Sequence, residues 1–162
     1  MKKPEVAVIM GSVSDLETVG EGIKLLREFG VGFQVKVLSA HRSPKELVKY
    51  VESASKRGVK VFIAAAGGAA ALAGVVAAHT ILPVIGIPIE TKSLKGLDSL
   101  LSTVQMPPGI PVACMAIGKS GAKNAALMAL EILGVSDKKI SAKLANYKKQ
   151  MRVKIKQTKI KL

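Results

Sequence analysis

The chain has 162 residues, a length typical of one domain rather than two, and we predict a single domain over residues 1–162. Hydrophobic residues make up 49% and charged residues 22%, which excludes an intrinsically disordered chain. Lysine and arginine number 25 against 11 acidic residues, and the resulting net charge of +14 suits partners that carry phosphate or carboxylate groups, or nucleic acid.

The cysteine content and the lengths of the apolar runs indicate the compartment. Cys114 is the single cysteine, so an intrachain disulfide is excluded, as is typical of proteins from a reducing compartment. The apolar run at 6–10 is too short for the apolar region of a signal peptide, and the small-residue run at 64–78 is shorter than a bilayer span. We therefore expect a cytoplasmic protein without a membrane segment.

The predicted elements alternate along the chain. Apolar runs, most of them rich in β-branched residues, predict five strands: Val6–Met10, Phe33–Leu38, Val59–Ala65, Val84–Pro88 and Pro111–Ile117. The first helical segment follows strand one and ends at Gly30, and the second begins at a Ser43 cap with Pro44 in its first turn. Strands that are almost continuously apolar and alternate with helices predict an α/β fold with a doubly wound parallel sheet covered on both faces.

Two further helices are predicted after the fifth strand. The segment Gly121–Leu133 is rich in Ala and Leu, which predicts a buried helix ended by Gly134. Ser136 and Asp137 then begin a basic C-terminal helix over 137–162, whose apolar stripe is Ile140, Leu144, Tyr147 and Met151. Its lysines form either a solvated face or an electrostatic docking surface, and the alternation after Arg152 either frays or packs on a neighbouring subunit.

The first candidate ligand loop follows strand one. In open parallel sheets, ligands bind beyond the carboxyl ends of the strands. Gly11 permits a turn there, the hydroxyls of Ser12 and Ser14 and the free helix amides suit a phosphate, and Asp15 can accept hydrogen bonds from ribose hydroxyls. An ordinary helix cap explains the same residues equally well.

The second loop places His41 beside Arg42, directly after strand two. An imidazole titrates near neutral pH and can act as a general acid or base, while the arginine offers a two-pronged donor for phosphate or carboxylate. A structural role for a lone histidine is the competing interpretation.

The third loop, Ala66–Gly74, has almost no side chains, so its backbone amides can approach a flat ring closely. Close packing of a helix on the sheet explains the same composition. Three loops suited to a ligand at three consecutive strand ends nevertheless favour one small phosphorylated ligand over three coincidences.

Several other patterns do not support a site. Gly118–Ser120 resembles the end of a P-loop but lacks the first glycine of that motif, and no serine lies in a nucleophile elbow. His41 and His79 lack zinc-ligand spacing. Cys114 and Met115, within the fifth predicted strand, are expected in the core.

Five motifs together resemble one family. In chain order they are Met-Gly-Ser-x-Ser-Asp, Ser-Ala-His-Arg, Ala-Gly-Gly-Ala-Ala, Gly-Leu-Asp-Ser-Leu and Gln-Met-Pro-Pro-Gly-Ile-Pro-Val. The segment from Val6 to Gly134 resembles the 5-(carboxyamino)imidazole ribonucleotide mutases of purine biosynthesis, also known as the catalytic subunit of phosphoribosylaminoimidazole carboxylase. These motifs in this order are highly specific.

The resemblance implies a fold, an assembly and a set of residue roles. It implies a flavodoxin-like, three-layer fold with a five-stranded sheet, and a homo-octamer with sites between subunits. It also implies that no metal or organic cofactor is needed and that an ATP-dependent carboxyaminoimidazole synthetase is a partner. His41 would be the general acid/base. The implied contacts are phosphate with Ser12, Ser14 and Arg42, ribose with Asp15, and base or carboxylate with Ser39, Ala40, Gly67, Gly68 and Ala69.

The implied reaction moves a carboxylate from the exocyclic amine to ring carbon 4 through bound carbon dioxide and aminoimidazole ribonucleotide. The chain departs from the family at Ala71 and Ala73, where His and Pro are usual. Direct carboxylation of aminoimidazole ribonucleotide by free carbon dioxide is the alternative activity. A non-catalytic nucleotide-binding or nucleic-acid-binding domain is a third hypothesis, and because the chain has no Trp for stacking on single strands we expect no nucleic-acid partner.

Overall fold

The structure is a computed structural model that describes residues 2–158, so the last predicted residues, 159–162, lie outside the described part. The strands are β1 (Val6–Met10), β2 (Phe33–Val37), β3 (Val61–Ala66), β4 (Val84–Pro88) and β5 (Ala113–Cys114). The helices are α1 (Leu16–Phe29), α2 (Pro44–Ala54), α3 (Leu72–Ala78), α4 (Leu97–Val104), α5 (Lys119–Gly134) and α6 (Lys138–Lys156).

The sheet is parallel throughout and has the strand order β2-β1-β3-β4-β5. The chain passes from β1 outward to β2 and then returns to add β3 on the other side of β1, where Val6 aligns with both Phe33 and Val61. This order is that of the flavodoxin-like fold, so the predicted fold class is confirmed. The connections diverge beside β1, which places the expected ligand crevice at its carboxyl end.

The core lies on both faces of the sheet because β1, β3 and β4 are almost completely buried. Successive side chains of a strand point to opposite faces. Thus Val6 and Val8 pack in the cluster that includes α1 and α5, whereas Ala7 and Ile9 pack in the cluster that includes α2 and α3. The predicted three layers are confirmed.

The two edge strands differ most from the prediction. β2 is half-exposed, and β5 comprises Ala113–Cys114 alone instead of Pro111–Ile117. β5 pairs only with β4, and a proline cannot donate to the ladder, so little holds a longer strand there. Cys114 and Met115 are accordingly only partly buried. The prediction that both lie in the core is wrong for Cys114, whereas Met115 packs against the core.

The helix ends agree with the capping and stop residues predicted from the sequence, with two exceptions. Gly30 has a left-handed φ of 73° and ends α1 as predicted. Ser43 precedes α2, but its side chain does not cap that helix. Gly134 is itself the last residue of α5 and Val135 is the C-cap, so the helix runs one residue further than predicted.

Helix α6 is amphipathic only in its first half. Asp137 caps it by accepting hydrogen bonds from the amides of Lys139 and Ile140, at 2.8 and 3.2 Å. Ile140 and Leu144 are buried as predicted, whereas Met151 is 43% exposed. Across residues 2–158, α6 included, no helix combines the length and the apolar character that a membrane span requires.

Helices α1 and α5 approach closely at Gly22. A Cβ atom there would lie 2.5 Å from the carbonyl oxygen of Ala122, whereas one at Gly20, on the same helix, would meet nothing within 4 Å. Both glycines lie within α1. Only Gly22 is therefore required by the packing.

Candidate active site

The loops after β1, β2 and β3 meet at the carboxyl edge of the sheet and enclose a cleft of about 320 Å³. Most of the residues predicted for the site line this cleft. They are Ser12, Asp15, Ser39, Ala40, His41, Arg42, Gly67 and Ala69. Gly11, Ala66, Ala71 and Leu72 complete the lining; they belong to the predicted first and third loops but had not been assigned a contact with the ligand.

The first loop is a capping box. The Asp15 carboxylate accepts from the Ser12 amide at 3.1 Å, and the Ser12 hydroxyl accepts from the Ser14 amide at 3.3 Å and from the Ser14 hydroxyl at 2.8 Å. The residues predicted as either cap or ligand site therefore do form a cap. Ser12 and Asp15 also line the cleft, whereas Ser14 lies outside its wall.

Asp15 is the buried acid of the site, only 8% exposed. Burial raises the pKa of its carboxyl above the ordinary value, although hydrogen bonds from Ser12 and Ser14 and the positive charge of Arg42 oppose that shift. The carboxylate is held in place before any ligand binds, which suits it to accept hydrogen bonds from neutral hydroxyls.

The second loop is fixed by two serines. The Ser39 amide donates to the Ser43 hydroxyl at 2.9 Å, and that hydroxyl donates back to the Ser39 carbonyl at 3.2 Å. The Ser39 hydroxyl in turn accepts from the amides of His41 and Arg42, at 3.3 and 3.1 Å. Ser43 therefore stabilises the loop that carries His41 instead of capping α2.

Arg42 and His41 are the exposed functional groups of this loop. The Arg42 guanidinium donates to the Gly11 carbonyl at 2.9 Å, which ties the second loop to the first. A guanidinium has five N–H donors, so most remain for an anion. Within residues 2–158 no group forms a hydrogen bond with the His41 ring, which lines the cleft and is free to approach a substrate.

The third loop presents backbone instead of side chains. Gly67 and Ala69 line the cleft, but Gly68 does not. Gly68 has a φ of +68°, which glycine adopts without strain, and its peptide groups point toward α4. Ala71 stands on the cleft wall, while Ala73 is buried in α3 away from it.

One group that shapes the site was missed by the sequence prediction. The Ser99 hydroxyl, on α4, accepts from the Gly68 amide at 2.9 Å. Ser99 belongs to the Gly-Leu-Asp-Ser-Leu motif, which carried the resemblance but had no role assigned, and α4 itself was not predicted. The only sequence feature that could have indicated Ser99 was its place in a motif that carried the family resemblance.

The donor set of the cleft is that of a site for an anionic organic ligand. Within residues 2–158, no group of three or more His, Cys, Asp or Glu side chains is arranged to hold a metal ion. The cleft instead combines one imidazole, one guanidinium, one buried carboxylate and a wall of backbone amides. That set can bind phosphate, accept from sugar hydroxyls and transfer protons.

Comparisons with known proteins agree with this geometry. The AIR carboxylase family model matches residues 5–154. The chain is 56% identical over 149 residues to the N5-carboxyaminoimidazole ribonucleotide mutase of Pyrococcus abyssi, covering 92% of this chain and 84% of that protein, and 53% identical over 142 residues to that of Bacillus subtilis, covering 88% of each. The crystal structure of Treponema denticola PurE superposes with a TM-score of 0.85 at 29% identity, covering 94% of each chain.

Proposed function

Because the chain belongs to the AIR carboxylase family, we propose that it is an N5-carboxyaminoimidazole ribonucleotide mutase of purine biosynthesis. It converts the 5-carboxyamino ribonucleotide to the 4-carboxy-5-amino isomer. The observation that carries the proposal is the single cleft in which His41 and Arg42 face a wall of backbone amides. The mutase names of relatives more than half identical to this chain support the same activity.

The ribonucleotide is held through its phosphate and ribose. Arg42 supplies the free guanidinium donors for phosphate, beside the hydroxyl of Ser12. Ser14 acts on phosphate through Ser12, to which its hydroxyl donates. Asp15 accepts from the ribose, since a buried carboxylate beside a phosphate is better matched by neutral hydroxyls than by a second anion.

His41 transfers the protons. Cleavage of the N–carboxylate bond releases carbon dioxide and leaves the exocyclic nitrogen in need of a proton, which the imidazolium supplies. Ring carbon 4 then attacks the carbon dioxide, and the neutral imidazole removes the proton from that carbon. Histidine suits both steps because it changes charge near neutral pH, and it finishes in its starting state.

The carbon dioxide is retained by the wall that Ser39, Ala40 and the Gly67–Ala69 loop form. Their small side chains let backbone amides reach the carboxylate and leave room for the flat base. Ala71 lies on the same wall and provides only a methyl group where the family usually has an imidazole. We infer that this chain retains carbon dioxide less tightly than a protein with His at that position.

Assembly into a homo-octamer with sites between subunits completes the proposal. Helix α4 and the loop before it expose apolar side chains that a monomer would leave in water, namely Leu94, Leu97, Leu101 and Val104. The second half of α6 exposes Met151, Val153 and Ile155 in the same way. Sedimentation velocity tests this proposal, and a monomer at micromolar concentration contradicts it.

The remaining parts of the proposal concern context. We propose a cytoplasmic catalytic unit over residues 1–162 that needs no metal or organic cofactor and no nucleic acid. An ATP-dependent carboxyaminoimidazole synthetase would supply its substrate, because that substrate is an unstable carbamate that must be made by an energy-consuming step. Activity that survives exhaustive chelation is the expected result for the metal-free proposal.

The decisive experiment supplies each ribonucleotide separately, with and without bicarbonate. The mutase proposal predicts conversion of the 5-carboxyamino ribonucleotide without bicarbonate. Conversion of aminoimidazole ribonucleotide alone, dependent on bicarbonate, would identify a direct carboxylase instead, and binding without turnover would identify a non-catalytic domain.

The matched variants are His41→Asn and His79→Asn. His79 is also exposed but lies outside the cleft, 3.5 Å from Glu52, so its replacement should not affect turnover. Loss of a general acid/base should lower the His41→Asn rate about a hundredfold or more while ribonucleotide binding persists. Equal rates for the two variants would remove His41 from the mechanism.

A further inference from the structure

Ser99 connects three segments that meet behind the cleft. Its side chain is completely buried, on α4. Its hydroxyl donates to the Ile89 carbonyl at 2.7 Å, just beyond β4, and accepts from the Gly68 amide at 2.9 Å, in the loop after β3. One hydroxyl therefore pairs a backbone donor and a backbone acceptor that belong to two different segments of the chain.

The Gly68 peptide groups determine how the wall of the cleft is presented. Gly67 and Ala69 line the cleft on either side of Gly68, which faces α4. On the other side of the residue, the Gly68 carbonyl accepts from the Ser102 hydroxyl at 3.3 Å. Fixing Gly68 from behind therefore fixes the direction in which its neighbours face the cleft.

Ser99 forms the stronger of these two attachments. The Ser102 side chain is exposed, its contact is longer, and its hydroxyl also bonds the Asp98 carbonyl of its own helix at 2.7 Å. A water molecule can replace that exposed contact. The Ser99 hydroxyl instead occupies a completely buried position, so its removal leaves a space that solvent does not reach directly.

We propose that Ser99 is a positioning residue that holds the Gly67–Ala69 wall in the orientation that retains carbon dioxide. The inference rests on the proposed mutase function and extends it to a side chain that does not line the cleft. Ser99 acts through the Gly68 peptide groups, while phosphate binding by Arg42 on the opposite loop does not depend on it.

The test compares Ser99→Ala with a matched control, Thr103→Val. Thr103 lies one turn further along α4, is 3% exposed, and its hydroxyl bonds only the Ser99 carbonyl of the same helix, at 2.7 Å. Both changes remove one buried hydroxyl from α4. Only Ser99→Ala removes a contact with the cleft wall.

The primary measurement is carbon dioxide exchange per turnover. Unlabelled 5-carboxyamino ribonucleotide is converted in buffer containing ¹³C-bicarbonate and carbonic anhydrase, and ¹³C in the product is measured at low conversion. Because the free carbamate also exchanges with solution, the ¹³C in unreacted substrate is measured in the same samples and subtracted. The remaining fraction per turnover does not depend on how much enzyme is folded, so a general loss of stability cannot change it. We expect Ser99→Ala to raise it severalfold and Thr103→Val to leave it unchanged.

Steady-state rates provide the second measurement. We expect kcat to fall roughly tenfold in Ser99→Ala, as for buried groups that lose their partner, with ribonucleotide affinity within a fewfold of wild type. Should the alanine variant not fold, Ser99→Cys keeps the approximate volume, weakens both hydrogen bonds and serves in the same comparison. Identical exchange and kcat in the Ser99 and Thr103 variants, with an active wild type, would overturn this inference alone. An inactive wild type would instead overturn the proposed function.

Discussion

Arg42 offers the most direct test of how the cleft binds its ligand. Its guanidinium already donates to the Gly11 carbonyl at 2.9 Å, so it lies beside the loop that we propose binds phosphate. The Arg42→Ala change removes the charge and the fork of donors but leaves His41 and the amide wall in place.

The size of the effect follows from the exposure of the group. A hydrogen bond to a charged group contributes about 1.5–3 kcal/mol, and the lower half of that range applies because Arg42 is exposed and screened by solvent. At about 1.4 kcal/mol per factor of ten, we expect ribonucleotide binding to weaken about 10- to 30-fold. The phosphate does not change during the reaction, so kcat should stay within a fewfold of wild type.

Calorimetry measures the affinity for the ribonucleotide, and steady-state kinetics measure kcat separately. Arg42→Lys keeps the charge but not the fork and should fall between wild type and Arg42→Ala. Lys45→Ala is the control, because Lys45 carries the same charge three residues away but does not line the cleft. Unchanged affinity in Arg42→Ala, or a kcat loss as large as the loss in kcat/KM, would refute the assignment to phosphate.

Four further outcomes are expected. Gly22→Ala should lower the free energy of unfolding by about 1–3 kcal/mol because the added methyl group overpacks the contact with α5. Gly20→Ala, in open space, should raise it by about 0.4–1 kcal/mol. Urea titration compares the two variants, and equal effects would contradict the packing argument. Burial raises the pKa of Asp15, so the folded state binds the carboxyl proton more tightly than the unfolded chain does. The free energy of unfolding should therefore fall as pH rises through the folded pKa, and Asp15→Asn should remove that fall. Two helix amides lower the pKa of Asp137. Its contribution to stability should therefore be present above the ordinary aspartate pKa and be lost as pH falls through the folded pKa. Urea titrations of wild type and Asp137→Asn across pH measure that contribution. Ala71→His should lower carbon dioxide exchange per turnover, and equal exchange would remove Ala71 from the retention argument.

The sequence predicted the central strands and missed elements whose side chains face outward. β1, β3 and β4 are buried on both faces, so they appear as uninterrupted apolar runs. Helix α4 buries two hydroxyl side chains, Ser99 and Thr103, and exposes Leu97 and Leu101, which reverses the usual helical pattern. Periodicity could not identify such a helix.

The loops of the site were located from the sequence, but the direction of each side chain was not. Three strand ends with suitable residues were enough to place the loops, because parallel strands end at one edge of the sheet. The Gly68 amide, turned away from the cleft, donates to Ser99, 31 residues later in the chain. Spacing within a motif carries no information about a contact of that kind.

Cap and ligand site were treated as competing interpretations in the sequence, and the structure indicates that they are compatible. In each of the three loops a serine hydroxyl bonds backbone: Ser12 in the first, Ser39 in the second, and Ser99 behind the third. These bonds fix the loops before a ligand arrives, so binding costs little conformational entropy. They also leave the side chains of His41 and Arg42 exposed at the cleft, and these are the two that the proposed chemistry requires to contact the ligand. A loop that caps a helix well is for that reason a better scaffold for a ligand, and the two interpretations support each other.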